Sequence, residues 1–193
     1  HKNPLINSMA NAAETLHYET VLPILKEVLG RICTREELAD FRLVGGTNLS
    51  LRFGHRMSDD IDYFTPVEYG TADFESIYGM LRKEFDYIDG CGRNIGFGNS
   101  YFVGNSFADG EKVKLDIMYT DPFLNAEDIL DGVRFASVED IVAMKLNAVT
   151  EGDGRKKDFW DIPFLLGMFT LKEMLDLHER RHPWEHDRES LLR

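Results

Sequence analysis

Leu43-Val44-Gly45-Gly46-Thr47 and, with thirteen residues between Gly46 and Asp60, the segment Asp60-Ile61-Asp62-Tyr63-Phe64 decide how this chain folds. Phe41 to Val44 is apolar enough for a short strand, and two glycines directly after it predict a tight turn into a helix. Backbone N–H groups exposed at such a junction suit phosphate. The helix should run through Leu49 and Leu51 and stop at Gly54. A plain turn would use the same glycines, and the stretch is not a P-loop, since the Gly-Lys-Ser/Thr ending is missing.

Alternation along Asp60 to Phe64 places Asp60 and Asp62 on one face of a strand, with Ile61 and Tyr63 on the other. Two neighbouring carboxylates repel unless cations neutralise them, and oxygen-only donors favour hard Mg²⁺ or Mn²⁺. In Lys112 to Met118 the same period puts Lys114 and Asp116 on one face and Val113, Leu115 and Ile117 on the other. If the two strands are neighbours, Asp60, Asp62 and Asp116 converge. Three such carboxylates suit two metal ions about 3.5 to 4 Å apart and in-line phosphoryl or nucleotidyl transfer, with Asp116 nearest the attacking oxygen as a candidate base. Asp-x-Asp is also an ordinary solvated strand end in an acidic chain.

Working outward, residues from about Leu5 to Asp40 read as helical. Gly30 should close one helix, and Thr34 with Glu37 should cap another. Ala72 to Phe85 is amphipathic. Tyr101 to Phe107 and Lys112 to Tyr119 read as a hairpin turning at Asp109-Gly110, and Gly132 to Ala136 as a last strand. Ser137 caps a helix over Val138 to Thr150. Further helices follow over Lys157 to Met168, which Pro163 should kink or divide, and over Leu171 to Arg181. The expected organisation is an α/β core over residues 1–137 and a helical region over 138–193.

The 193 residues carry 22 basic and 34 acidic side chains, a net charge of -12, which excludes a broad electrostatic grip on duplex DNA. Cys33 and Cys91 make neither a disulfide framework nor a thiolate zinc site, as expected in a reducing cytoplasm. No apolar run approaches the roughly 18 residues of a membrane span, and the opening His-Lys-Asn-Pro has no signal-peptide core. The chain does not open with Met, so its N-terminus is not taken as complete.

The segment Leu43 to Thr47 with Gly54-His55-Arg56-Met57-Ser58-Asp59-Asp60-Ile61-Asp62 resembles the polymerase β-like nucleotidyltransferases, in particular the AbiEii/AbiGii toxins of bacterial toxin–antitoxin and phage-defence systems. Lys114-Leu115-Asp116 is similar to the second motif of that group. Asp140 to Leu146 and Arg155 to Asp161 are similar to the third and fourth. The resemblance implies a small mixed sheet flanked by helices with a helical C-terminal part, and Mg²⁺-dependent transfer of a nucleotide from an NTP to an acceptor. For toxin relatives that acceptor is RNA, notably the tRNA 3′ end, and a cognate antitoxin is the implied partner. Asp60, Asp62 and Asp116 are the implied catalytic and metal-binding residues. Gly45, Gly46, Thr47, Arg56, Ser58, Lys114, Lys145, Lys157 and Asp158 are the implied nucleotide contacts. The polar residue and the arginine that follow the third-motif lysine in the family have Asn147, Thr150 and Arg155 as candidates.

Read from its own surroundings, Lys145 interrupts an apolar helical face of Val138, Ile141, Val142 and Val149. It either snorkels or reaches into a pocket for triphosphate. Asp158 and Asp161 are placed to orient Lys145 or Lys157, or simply to open a helix. Phe97, Tyr101, Phe102 and Phe107 are candidates to stack a base or to fill the sheet core. Two other function classes stay open. One is a catalytically silent nucleotide- or partner-binding module. The other is a zinc hydrolase using His178, Glu179 and His182 of an HExxH match, with Glu185 or His186 as a third ligand. Against the latter, Pro183, Arg180 and Arg181 favour an exposed terminal helix.

Overall fold

The computed structural model describes residues 15–93, 96–150 and 157–184. Its centre is a seven-stranded mixed sheet in the order β3-β4-β5-β2-β1-β7-β6, formed by β1 (Arg42–Val44), β2 (Asp60–Thr65), β3 (Tyr87–Asp89), β4 (Gly98–Gly104), β5 (Lys112–Tyr119), β6 (Asp128–Leu130) and β7 (Val133–Phe135). β2 runs antiparallel to β1 and parallel to β5. β4 and β5 form the expected hairpin, with β5 alternating as read from the sequence, but β4 spans Gly98–Gly104 rather than Tyr101 to Phe107.

Strict alternation makes the sheet two-sided. Ile61, Tyr63, Val113, Leu115 and Ile117 point into a core shared with α1 (Pro23–Ile32) and α3 (Phe74–Glu84). The opposite face is covered by a second core that joins α2 (Gly45–Phe53), α4 (Val138–Thr150), α5 (Asp158–Leu166) and α6 (Leu171–Arg181). Leu43 faces the first core and the next residue, Val44, the second. Asp60 and Asp62 lie on the α4–α5 side with Phe64, and this decides which helices can furnish the site.

Several helix boundaries differ from the expectations. α1 continues through Gly30 to Ile32, because its buried stripe of Leu25, Val28, Leu29 and Ile32 outweighs the roughly 1 kcal/mol helix penalty of one glycine. Thr34 caps nothing, and Glu36–Leu38 form only a single 3-10 turn. α5 passes through Pro163 without dividing. Ser137 does cap α4, accepting from Asp140 N at 3.1 Å. α6 starts on a capping box between Thr170 and Glu173.

The expectation of an exposed α6 is overturned. Met174, Leu175, Leu177, His178 and Arg181 form a buried face against α4. Arg181 donates to Thr120 Oγ1 and to the Asp121 and Pro122 carbonyls, with Asp140 3.8 Å away. Burial lowers the Arg181 pKa, and Asp140 and Asp121 counter that shift. No helix among the described residues is long and apolar enough to cross a membrane.

Candidate active site

The register of β1 against β2 sets Val44 opposite Asp62, so the chain turns at Gly45 beside that carboxylate. Gly45 has φ of 70°, a left-handed conformation costing an L-residue about 1–2 kcal/mol, and a Cβ there would overlap Asp62 Oδ2. A Cβ on Gly46 would overlap the Arg56 guanidinium. The glycine pair thus lets the start of α2 approach both an acid and a base. Gly46→Ala is expected to push Arg56 off the buried Asp161 and so to cost about 3 kcal/mol of stability. A thermal melt checks this, and an unchanged melting temperature would contradict it.

Val44, Gly45, Gly46, Asp60, Asp62 and Phe64 line a cleft of about 270 Å³ together with Ile141, Met144, Lys145 and Ala148 of α4, Arg56, Ser58 and Lys157. Eight residues expected at the site from sequence therefore meet here: Gly45, Gly46, Arg56, Ser58, Asp60, Asp62, Lys145 and Lys157. Thr47 does not line the cleft. It is buried, and its hydroxyl donates to the Asp60 carbonyl while accepting from Ser58 Oγ at 2.8 Å, so it braces the start of β2. Lys114 also stands outside the lining and donates to Asp116 Oδ2 at 2.6 Å. The side chain of Asp158, the first residue of α5, lies outside the described residues, as do Arg155, Glu185 and His186.

β2 and β5 are neighbours in parallel register, with Asp62 opposite Asp116. The three carboxylates share one face. They nevertheless do not close on a common point: among the described residues no three His, Cys, Asp or Glu side chains are gathered to hold one ion. Like charges repel, and lysines draw two of them aside. Lys157 reaches Asp59 and lies 3.7 Å from Asp60 Oδ2, while Lys114 holds Asp116. Asp116 Oδ1 is buried and has no hydrogen-bond partner. An oxygen-only set on one face, with one acceptor oxygen unsatisfied, fits a hard divalent cation.

The decisive residue is Asp161, which the sequence marked only as a possible helix opener or lysine partner. Its fully buried carboxylate accepts from Arg56 Nε at 2.6 Å and Nη2 at 2.8 Å, from His55 Nε2 at 2.8 Å, and pairs with Lys145 Nζ at 2.8 Å. Burial would raise the Asp161 pKa. The hydrogen bonds from Arg56 and His55, with the charge and hydrogen bond of Lys145, outweigh it and hold the carboxyl well below the usual carboxylate range. Asp161 thereby fixes Arg56 and Lys145 in the cleft wall, beside the Gly45-Gly46 turn. His55 was not expected at the site. It stacks on Phe164 at 4.4 Å, which seats α5 against the turn that carries Arg56.

The zinc reading finds no support in the geometry. His178 is buried and hydrogen-bonded to Asn147 at 2.8 Å, and His182 Nδ1 lies 3.2 Å from Asp121. Both imidazoles are taken up in packing. Of the four candidate aromatics, Tyr101 is core, Phe102 and Phe107 are exposed away from the cleft lining, and Phe97 is exposed near the β2–β5 end.

Known proteins resemble this chain in sequence and in fold. A family model described as nucleotidyl transferase AbiEii toxin, type IV toxin–antitoxin system, matches residues 27–192. The Aquifex aeolicus protein aq_aa25 is 34% identical over 161 residues, spanning 81% of this chain and 73% of that protein. Among solved structures, JHP933 from Helicobacter pylori superposes with a TM-score of 0.56 at 21% identity, covering 81% of this chain and 69% of that one. The nucleotidyltransferase toxin MenT4 from Mycobacterium tuberculosis gives 0.54 at 15% identity, covering 91% and 68%. The fold is theirs, and the sequence match extends over most of the chain: this protein is a nucleotidyltransferase and belongs to the AbiEii toxin family.

Proposed function

We propose that the protein transfers an NMP from an NTP to the terminal hydroxyl of an RNA, with the tRNA 3′ end as its acceptor, and that it acts in the bacterial cytoplasm opposite a cognate antitoxin. The observation that carries this is the pairing of a cationic wall, Arg56 and Lys145 on Asp161, with the acidic strand Asp60–Asp62 across one cleft. Residues 1–137 are the catalytic core in this reading, and 138–193 the helical part that closes the cleft.

The Gly45 and Gly46 backbone, Ser58, Arg56, Lys145 and Lys157 take the triphosphate. Arg56 serves as a fixed fork and the lysines as mobile point charges. Asp60, Asp62 and Asp116 would hold the divalent cation, Mg²⁺ or Mn²⁺, which when bound supplies charge against the phosphates and acidifies the attacking hydroxyl. The acceptor oxygen attacks the α-phosphorus in line, forming the new P–O bond as pyrophosphate leaves. Asp116 Oδ1, unsatisfied within the protein, receives the hydroxyl proton. Lys114, bonded to the other oxygen of Asp116, keeps that carboxylate oriented. Lys157, now on Asp59 and Asp60, moves to phosphate when nucleotide enters.

The test is to incubate the protein with Mg²⁺, each α-labelled NTP and bulk tRNA, intact or periodate-oxidised at its 3′ terminus. Label should enter intact tRNA only. Label in neither, while another RNA accepts it, would exclude the tRNA end as acceptor. No transfer to any acceptor from a protein that binds NTP would favour a silent binding module.

A further inference from the structure

Phe64, Met144 and Ala148 line the catalytic cleft and also a second depression of about 540 Å³ at the end of β2 and β5. That volume lies within the roughly 300–1,000 Å³ of small-ligand pockets. Its aromatic wall is unusual for a surface: Tyr69 is 60% and Phe97 77% exposed, with ring centroids 5.7 Å apart, and Tyr69 lies 5.2 Å from Tyr119. Tyr119 is locked, because its hydroxyl accepts from the Gly70 and Ala72 backbone N–H groups, each at 3.0 Å. Large rings held open to solvent in a fixed array present π-faces to a planar ligand.

The polar end of the same depression holds Asn147, Asp121 and His182. The Asn147 oxygen accepts from His178 Nε2. The buried histidine thereby fixes which way the carboxamide faces where it lines the depression. The HExxH segment finds its place here. His178 orients Asn147, and His182, set 5.2 Å from His178 and against Asp121, lines the cavity.

We infer that this second cleft receives the nucleobase of the nucleotide whose phosphates lie in the first, with Tyr69, Phe97 and Tyr119 giving stacking surface and Asn147 reading the base edge. The inference rests on the proposed triphosphate site, with which the depression shares the lining residues Phe64, Met144 and Ala148. Stacking tolerates any base, so Tyr69 and Phe97 set affinity. A fixed amide discriminates, so Asn147 sets preference.

Calorimetry on the full chain with ATP, GTP, CTP, UTP and inorganic tripolyphosphate, each with Mg²⁺, tests this. Tyr69→Ala with Phe97→Ala removes only exposed rings. It should weaken NTP binding about tenfold and leave tripolyphosphate binding unchanged. Asn147→Leu should alter the order of affinity among the four NTPs. Unchanged NTP affinity and order in these variants would overturn the inference while leaving the phosphate site standing. A raised KM for acceptor RNA with unchanged NTP affinity would assign the cleft to an acceptor base instead, which also overturns it. Wild-type protein that binds neither NTP nor tripolyphosphate would sink the triphosphate reading and this one together.

Discussion

Asp62→Asn is expected to lower nucleotide transfer by roughly 10³-fold without lowering thermal stability. Asp62 stands opposite Asp116 across β2–β5 and beside the Gly45 turn, on the same face as Asp60. Three carboxylates on one face repel in the absence of a cation, so neutralising one should leave the melting temperature in EDTA equal to or above that of wild type. Adding Mg²⁺ should raise the wild-type melting temperature more than that of the variant, because an ion that binds the folded state stabilises it by mass action. Single-turnover label transfer and paired melts check both halves. A variant that keeps its rate would remove Asp62 from the chemistry.

The second large effect is at Asp161. Asp161→Ala leaves Arg56 and Lys145 buried with their shared counter-ion gone, a loss of about 3–5 kcal/mol for breaking a buried pair. Asp161→Asn should cost less, since it keeps one acceptor. Both should raise the KM for NTP, because the cations are no longer held at the cleft wall. The pH dependence follows from the sign of the shift. The folded Asp161 pKa lies below its unfolded value of about 4, so its contribution is fully present above that pH and is lost as pH falls below it. The stability gap between wild type and Asp161→Asn, read from urea melts, should therefore be constant near neutrality and narrow in acid. A gap that widened in acid would contradict the depressed pKa.

The parts of the site that follow period-2 or turn chemistry were legible in the sequence. Asp60 and Asp62 share a face because strands alternate, and Gly45-Gly46 announce a tight turn because few other residues permit one. The neighbouring of β2 and β5 was only conditional, since strand order is a long-range property that no local pattern carries. Asp161 reads from sequence as a partner of Lys145 or Lys157 or as a helix opener, and its pair with Lys145 is found, but its bonds to Arg56 and His55 escaped for the same reason. It meets Arg56 across 105 residues of chain, and its own helix gives an aspartate in the first turn an ordinary role. The misreading of α6 has a different cause. Arg180 and Arg181 made it look solvated, yet Met174, Leu177, His178 and Arg181 follow the 3–4 spacing of a buried stripe, and the two terminal guanidinium nitrogens of Arg181 donate to loop carbonyls and Thr120. β3 and β6, three residues each, are too short to show a period.

The overall charge of -12 and the local chemistry are compatible because the surplus acid is spread over the chain, while Arg56, Lys145 and Lys157 gather at one cleft. A small cleft that sets these three cations opposite Asp60 and Asp62 suits a metal-bound triphosphate and a single RNA end, and it offers no track for a duplex.

The most direct measurement is a paired labelling experiment. The protein, Mg²⁺ and tRNA are incubated with NTP labelled at either the α- or the γ-phosphate, in wild type and in Asp60→Ala. Attack at the α-phosphorus predicts that α-label enters the RNA and γ-label leaves as pyrophosphate, with both signals lost in the variant. Label from the γ-phosphate on the RNA, or undiminished α-label transfer by Asp60→Ala, would contradict it.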